Sequence, residues 1–480
     1  MKTGNMTIIR PKINVLDEEH KNLIFDEAKL ILETQGIFIE NQEAIEMFEN
    51  EGLNHEGARY FIPSDLIDGS LDSTPDQITL YDRDGEEHLL LTKDQVHFDP
   101  GSAAIFILDE GTGEIREAQS KDFIRFSKIV EQLKYIEAQS TALIYQDVPN
   151  DAQDWHRLYL ALSNCYKPIV TGTFRKESFS IMKEILLACR TSEDDLARKP
   201  LAIFDACPSP PLKWSDLTTQ SLIDAAKSMI PSEFVSMPLS GASAPITLIG
   251  SITQHCAECL AGVVIVQLVN KGAPLIWGGS PAVFDMKHGT TPMGAIETMM
   301  INLGDIEMGK FLDLPTHAYM SLSDSKIPDG QAGFEAGMGA LLAGLAGINM
   351  ISGPGMLDFE STQSIEKLII DNEIVGMVKR LIRGIEDHGS PYASEILKDY
   401  EDKEELLSHP STLKYFRKEL FLPSPIIDRM TRDSWKQSGS KSARKRARNI
   451  AEMLLEKPSI KPINRSLATE LNNIAKTALK

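Results

Sequence analysis

PIVTGTFRKESFSIMKEILLACRTSEDDLARKPLAIFDA, residues 168–206, is one complete structural period written in sequence. Its opening run, 168–172, is apolar, β-branched and closed by Gly172, as a buried strand is. A polar turn follows, and SFSIMKEILLACR (178–190) then carries its apolar residues at helical spacing. LAIFDA (201–206) restores the strand. Strand, helix and parallel strand make a βα unit.

The same period extends in both directions. Strands are predicted at 96–99, 136–139, 168–172, 201–206, 234–239, 274–278, 316–320 and 348–352, with clear helices at 219–230 and 365–385. Eight units, with no Gly-x-Gly-x-x-Gly opening the first, predict an α/β chain closed into a (β/α)₈ TIM-type barrel. The barrel is expected over 96–385. Residues 1–95 read as an α+β extension, with a helix at 16–34 (Leu23, Leu30 and Ile31 on its apolar face, Gly36 as the stop), another at 41–50, and a hairpin at 78–91 turning on Asp84-Gly85. Residues 386–480 read as a helical extension. Its basic cluster, Lys436, Lys441, Arg444, Lys445, Arg446 and Arg448, is either a solvated helix face or a dock for an acidic partner.

Composition narrows the function. A net charge of −20 argues against a nucleic-acid backbone or anionic membrane as partner. Five scattered cysteines are no disulfide framework and fit a reducing cytoplasm. The N-terminus lacks a signal-type apolar core, and the apolar run CLAGVVIVQLV (259–269) is shorter than a bilayer span. Walker, HExxH and GxSxG motifs do not occur.

In a barrel of this kind, chemistry gathers at the C-terminal strand ends. That rule selects Asp205, Cys207 and Trp214 after strand four, Gly241 and Ser243 after strand five, and Trp277 and Gly278 on strand six. His317 and Tyr319 lie on strand seven, with Asp324, Lys326, Gln331 and Phe334 following them. Alternation puts Asp205 with Cys207 on one face, and His317 with Tyr319. A carboxylate beside aromatic faces suits a permanent organic cation. The glycine turns GGSP and SGPG read as tight connections before anion cradles. HCAEC (255–259) resembles a zinc set, but it opens an apolar helix where cysteine is an ordinary small hydrophobe; no metal is assigned.

The run LGDIEMGKFLDLPTHAYMSLSDSKIPDGQAGFE (303–335), ALLAGLAGINMISGPGMLDF (340–359), DPGSAAIF (99–106) and PLIWGG together resemble the trimethylamine methyltransferase family, over nearly the whole chain. The resemblance implies a barrel that moves a methyl group from a methylated amine to the Co(I) corrinoid (cobalamin) of a small cognate protein. Trimethylamine enzymes use pyrrolysine, whereas SDSKIPD here runs on standard residues. The chain is therefore similar to the non-pyrrolysine branch, which acts on quaternary amines such as glycine betaine. On that reading the cation rests on Trp277, Tyr319 and Phe334, with Asp205 or Asp324 balancing its charge. The substrate carboxylate meets His317, Lys326, Gln331 or the backbone near Gly278, and His317, Asp324 and Lys326 are the candidate catalytic group. Self-association is left open. Rivals are a zinc-dependent corrinoid methyltransferase and a non-catalytic betaine binder.

Overall fold

A computed structural model describes residues 10–101, 103–403 and 405–479. Eight parallel strands form one sheet: β1 (His97–Asp99), β2 (Gln139–Ser140), β3 (Ile169–Gly172), β4 (Ala202–Ala206), β5 (Ser232–Phe234), β6 (Leu275–Gly279), β7 (Thr316–Tyr319) and β8 (Met350–Ser352). Pairing runs in chain order from β2 to β8, and β8 then pairs with β1. The N–H groups of Glu137 and Ala138 both donate to the Phe98 carbonyl, at 2.9 and 3.2 Å, and bring the start of β2 onto β1. The predicted barrel is the observed one.

Two strands are displaced from their predicted positions. The fifth was expected at 234–239 and lies at Ser232–Phe234. Ser232 and Glu233 are polar yet buried, and Pro238 has no N–H for the ladder. The second was expected at 136–139, but the paired residues are Gln139 and Ser140, both buried and polar. In each case a polar interior hid the strand from an apolar search.

Helices α1 (Ser120–Gln132), α2 (Gln153–Asn164), α3 (Ser178–Leu187), α4 (Asp216–Lys227), α5 (Leu248–Val269), α6 (Ile296–Phe311), α7 (Gly330–Ala346) and α8 (Ile365–Ile382) surround the strands. The apolar run at 259–269 belongs to α5, which extends over 22 residues. That helix is long and apolar enough to cross a bilayer, yet 89% of its apolar stretch is buried in the protein. It is a core helix.

The hairpin of Ile78–Tyr81 and Glu87–Leu91, turning at Gly85 with φ 83°, seals the barrel floor. Ile78, Leu80, Leu89 and Leu91 share one buried cluster with Val170, Ile203, Ile276 and Met350 from the strands. The helix Glu18–Thr34 packs on α5 and stops before Gly36, where φ is 68°. Its buried face is Ile24, Ala28 and Leu32. Leu23 and Leu30 were expected inside but are 57% and 54% exposed, because the i, i+4, i+8 stripe runs one position over.

The three arginines of the basic C-terminal cluster are spent inside the fold, whereas Lys436 and Lys445 are exposed. On the helix Ala443–Leu455, Arg444 and Arg448 both pair with the buried Glu366 of α8, Arg448 at 2.7 Å. Arg446 donates to the Ile426 carbonyl at 2.8 Å. A face engaged in this way anchors the extension to the barrel.

Candidate active site

Alternation along the strands sorts the barrel interior into storeys. The floor is the apolar cluster just described. One step up the strands, that is two residues on, the inward positions become Asp99, Gly172, Asp205, Gly278 and Ser352, with Glu233 and His317 on the intervening strands. Gly278 leaves room for β7: a Cβ there would stand 2.4 Å from the His317 carbonyl oxygen. Interior layers of such barrels are ordinarily bulky and branched. This one is titratable.

The side chains of that layer form a chain. Ser352 Oγ donates to Asp99 Oδ2 at 2.6 Å and lies 3.0 Å from His317 Nε2. Because the hydroxyl proton goes to Asp99, Nε2 is the protonated nitrogen of His317. Its other nitrogen, Nδ1, faces Glu233 Oε1 at 3.2 Å, and Glu233 stands close enough to Asp205 to feel its charge. Burial pulls the imidazole down to about 3, so His317 is neutral. Burial pushes Asp99 up to about 7. Glu233 rises well above the usual carboxyl range, first from burial and then from the negative charge of Asp205.

Above this layer opens a cavity of about 310 Å³, at the small end of ligand pockets, which run from about 300 to 1,000 Å³. Its walls come from the C-terminal ends of β2 to β7: Thr141, Thr173, Asp205, Val235, Ser280 and Tyr319 all line it. Arg157 of α2, Phe174 and Glu360 complete it. Asp358, Phe359 and Glu360 form three consecutive left-handed residues, with φ of 52°, 55° and 68°. None is glycine, so the backbone is strained there to aim Glu360 into the mouth. Its carboxyl lies near Ser280, and its Oε1 is buried without a hydrogen-bond partner among the described residues. Burial raises Glu360 to about 8, helped by the nearby charge of Asp324.

Of the residues selected from sequence, Asp205, Cys207 and Tyr319 line the cavity, and His317 lies directly beneath with its ring centre 5.1 Å from that of Tyr319. Trp277 does not. Strand parity turns it outward, where it is fully buried against His255 and donates to the Asp305 carbonyl at 3.0 Å. Trp214 is likewise core, donating to the Glu258 carbonyl at 3.2 Å. Phe334 is 61% exposed on α7, and Gln331 bonds Glu335 on that helix surface. Asp324 accepts the Met293 and Gly294 N–H groups, each at 2.9 Å, and so pins the loop before α6. Lys326 reaches Asp358 at 3.3 Å and lies 3.9 Å over the Phe359 ring. It therefore buttresses the strained segment that carries Glu360.

Gly241 and Ser243 belong to the turn before α5, where the Ser243 hydroxyl accepts the Leu239 N–H at 3.0 Å. Gly355 takes φ 90° and donates its N–H to Asp371 at 2.7 Å, the tight-turn reading of SGPG. In HCAEC, His255 Nε2 lies 3.0 Å from the Gly278 carbonyl, and Cys259 donates to the same oxygen at 3.6 Å. Burial pushes both Cys256 and Cys259 thiols up, so neither is a ready thiolate. Sequence reasoning passed over Glu233, Glu360 and Arg157. Alternation from His317 across to β5 could have found the first.

A profile of the trimethylamine methyltransferase (MTTB) family matches residues 2–478. The chain belongs to that family. It is 30% identical to a trimethylamine methyltransferase MttB of Methanosarcina barkeri, over 98% of this chain and 96% of that one. It is 28% identical to a glycine betaine methyltransferase of Desulfitobacterium hafniense, over 88% of this chain and 89% of the relative. The fold matches that of the monomethylamine methyltransferase MtmB of Methanosarcina barkeri at TM-score 0.55, with 11% identity over 92% of this chain and 89% of that one.

Proposed function

We propose that this chain transfers a methyl group from a quaternary amine, with glycine betaine the best candidate, to the Co(I) corrinoid of a partner protein. The observation that carries the reading is the cavity itself, in which a small volume meets Asp205, Glu233 beneath it, Glu360 and the ring of Tyr319. Carboxylates and an aromatic face together favour a permanent cation. Membership of the family and the glycine betaine methyltransferase among its relatives support methyl transfer as the use of that cation. The catalytic unit is read as 96–385, and the scattered cysteines support a cytoplasmic setting.

A cavity of about 310 Å³ suits a small amine and not a corrin ring, so the acceptor is read as covering the mouth from outside. The corrinoid supplies the Co(I) nucleophile. The chain's residues hold the cation, aim one N-methyl outward and keep water away. The N–CH₃ bond breaks as the Co–CH₃ bond forms, and the nitrogen keeps the electron pair and leaves as a neutral tertiary amine. No general acid is required, in keeping with a neutral His317. Alignment of the methyl supplies the rate.

A substrate panel tests the reading: transfer to free Co(I) cobalamin, followed by cobalt absorbance. Glycine betaine is expected to react, and trimethylamine and dimethylglycine are not. Turnover of trimethylamine above glycine betaine would overturn the quaternary assignment.

A further inference from the structure

Among the described residues, Arg157 is the one cation on the wall of the cavity, and it is only 1% exposed. Its Nη1 donates to the Thr141 carbonyl at 2.9 Å and its Nε to the Gln153 carbonyl at 3.3 Å. The guanidinium carbon lies 4.9 Å from the centre of the Phe174 ring. Nη2 stands 3.8 Å from Asp154, whose carboxylate already accepts the Phe174 N–H at 2.8 Å. Burial lowers the Arg157 pKa, yet a guanidinium stays charged at physiological pH. Holding a cation out of water is costly unless it is well paired, and the contact to Asp154 is long.

The position of Arg157 gives the cavity two poles. It leans on the end of β2, while Ser280, with Glu360 near it, stands at the end of β6. In a closed eight-strand barrel, strands four places apart face each other across the axis. Asp205 and Glu233, on β4 and β5, lie between. A simple organic cation would satisfy the acidic pole and meet the like charge of a guanidinium whose nearest carboxylate, Asp154, stands 3.8 Å away.

We propose that Arg157 anchors a substrate carboxylate, which makes the ligand a zwitterion with its quaternary nitrogen held toward Glu360 and Tyr319. This rests on the quaternary-amine reading above and assigns its specificity to one residue. It also replaces the donors expected from sequence. Lys326 and Gln331 lie outside the cavity, and the Nε2–H of His317 is spent on Ser352. An arginine offers a carboxylate two parallel N–H donors, which a lysine cannot.

The test is calorimetric binding of glycine betaine and choline, which carries the same cation without the carboxylate, to wild type, Arg157→Lys and Arg157→Met, with a melting temperature for each. Wild type is expected to prefer glycine betaine by about 100-fold, the scale of a lost charge-assisted pair. Arg157→Met should lose that preference through glycine betaine alone, leaving choline binding unchanged or tighter, and Arg157→Lys should fall between. Equal affinity of wild type for the two ligands overturns the anchor without reference to any variant's folding. So does an Arg157→Met protein that still discriminates. Those results leave the quaternary-amine reading standing; wild type that binds neither ligand and demethylates a tertiary amine overturns both.

Discussion

The lower and upper halves of the barrel are built from the same eight strands and have opposite interiors. Below, Val170, Ile203, Ile276 and Met350 close on the hairpin in a dry apolar layer. Two residues further along the strands stand Gly172, Asp205, Gly278 and Ser352, with Glu233 and His317 beside them. A barrel built for stability alone would repeat the lower layer. The upper one costs desolvation of several ionisable groups, and stability is given up there for a site. The hairpin offsets part of that cost by sealing the floor against water.

The contrast can be broken from either side. Glu233→Gln keeps the shape and a donor toward His317 but removes the ability to carry negative charge. We expect KM for the amine to rise about 10- to 100-fold, the worth of a charge-assisted contact. kcat should hold or rise and not fall, because the nitrogen loses its positive charge as the methyl leaves and the carboxylate favours the bound cation more than the transition state. A fall in kcat at constant KM would place Glu233 in the chemical step. Leu89→Ala should do the reverse. Leu89 is 3% exposed in the hairpin, and its truncation is expected to cost about 2–5 kcal/mol in denaturant unfolding with KM unchanged. A kinetic defect without loss of stability would show that the floor shapes the site. The smallest effect is expected at Phe334→Ala, where the ring is exposed on α7: neither KM nor melting temperature should move appreciably.

These differences also explain what the sequence disclosed. Most strands were legible because their outward faces are apolar, as LAIFDA is, and an apolar run survives one inward carboxylate. It does not survive Ser232 and Glu233 in succession, so β5 was displaced and its buried carboxylate overlooked. Trp277 attracted attention as an aromatic at a strand end, yet parity sends Ile276, Gly278 and Ser280 inward and the indole outward. Phe334 failed for a different reason, since a loop residue's direction depends on where α7 begins. Glu360 depends on a left-handed backbone that no local propensity announces, and Arg157 reads as one more charge on an amphipathic helix until tertiary packing buries it.

The central claim is that the ionisable upper half receives a cation. Asp99, in the layer beneath the cavity, titrates near 7 and Glu360, on its wall, near 8, so both hold protons for part of the time at pH 7. A quaternary nitrogen favours their ionised forms and should expel those protons. Calorimetry of glycine betaine binding at pH 7, repeated in buffers of different ionisation enthalpy, measures the number released. The account predicts net proton release, smaller in Glu360→Gln and falling toward pH 9, where Asp99 and Glu360 of wild type are already ionised. Binding with no proton exchange, or with uptake, in wild type would contradict it.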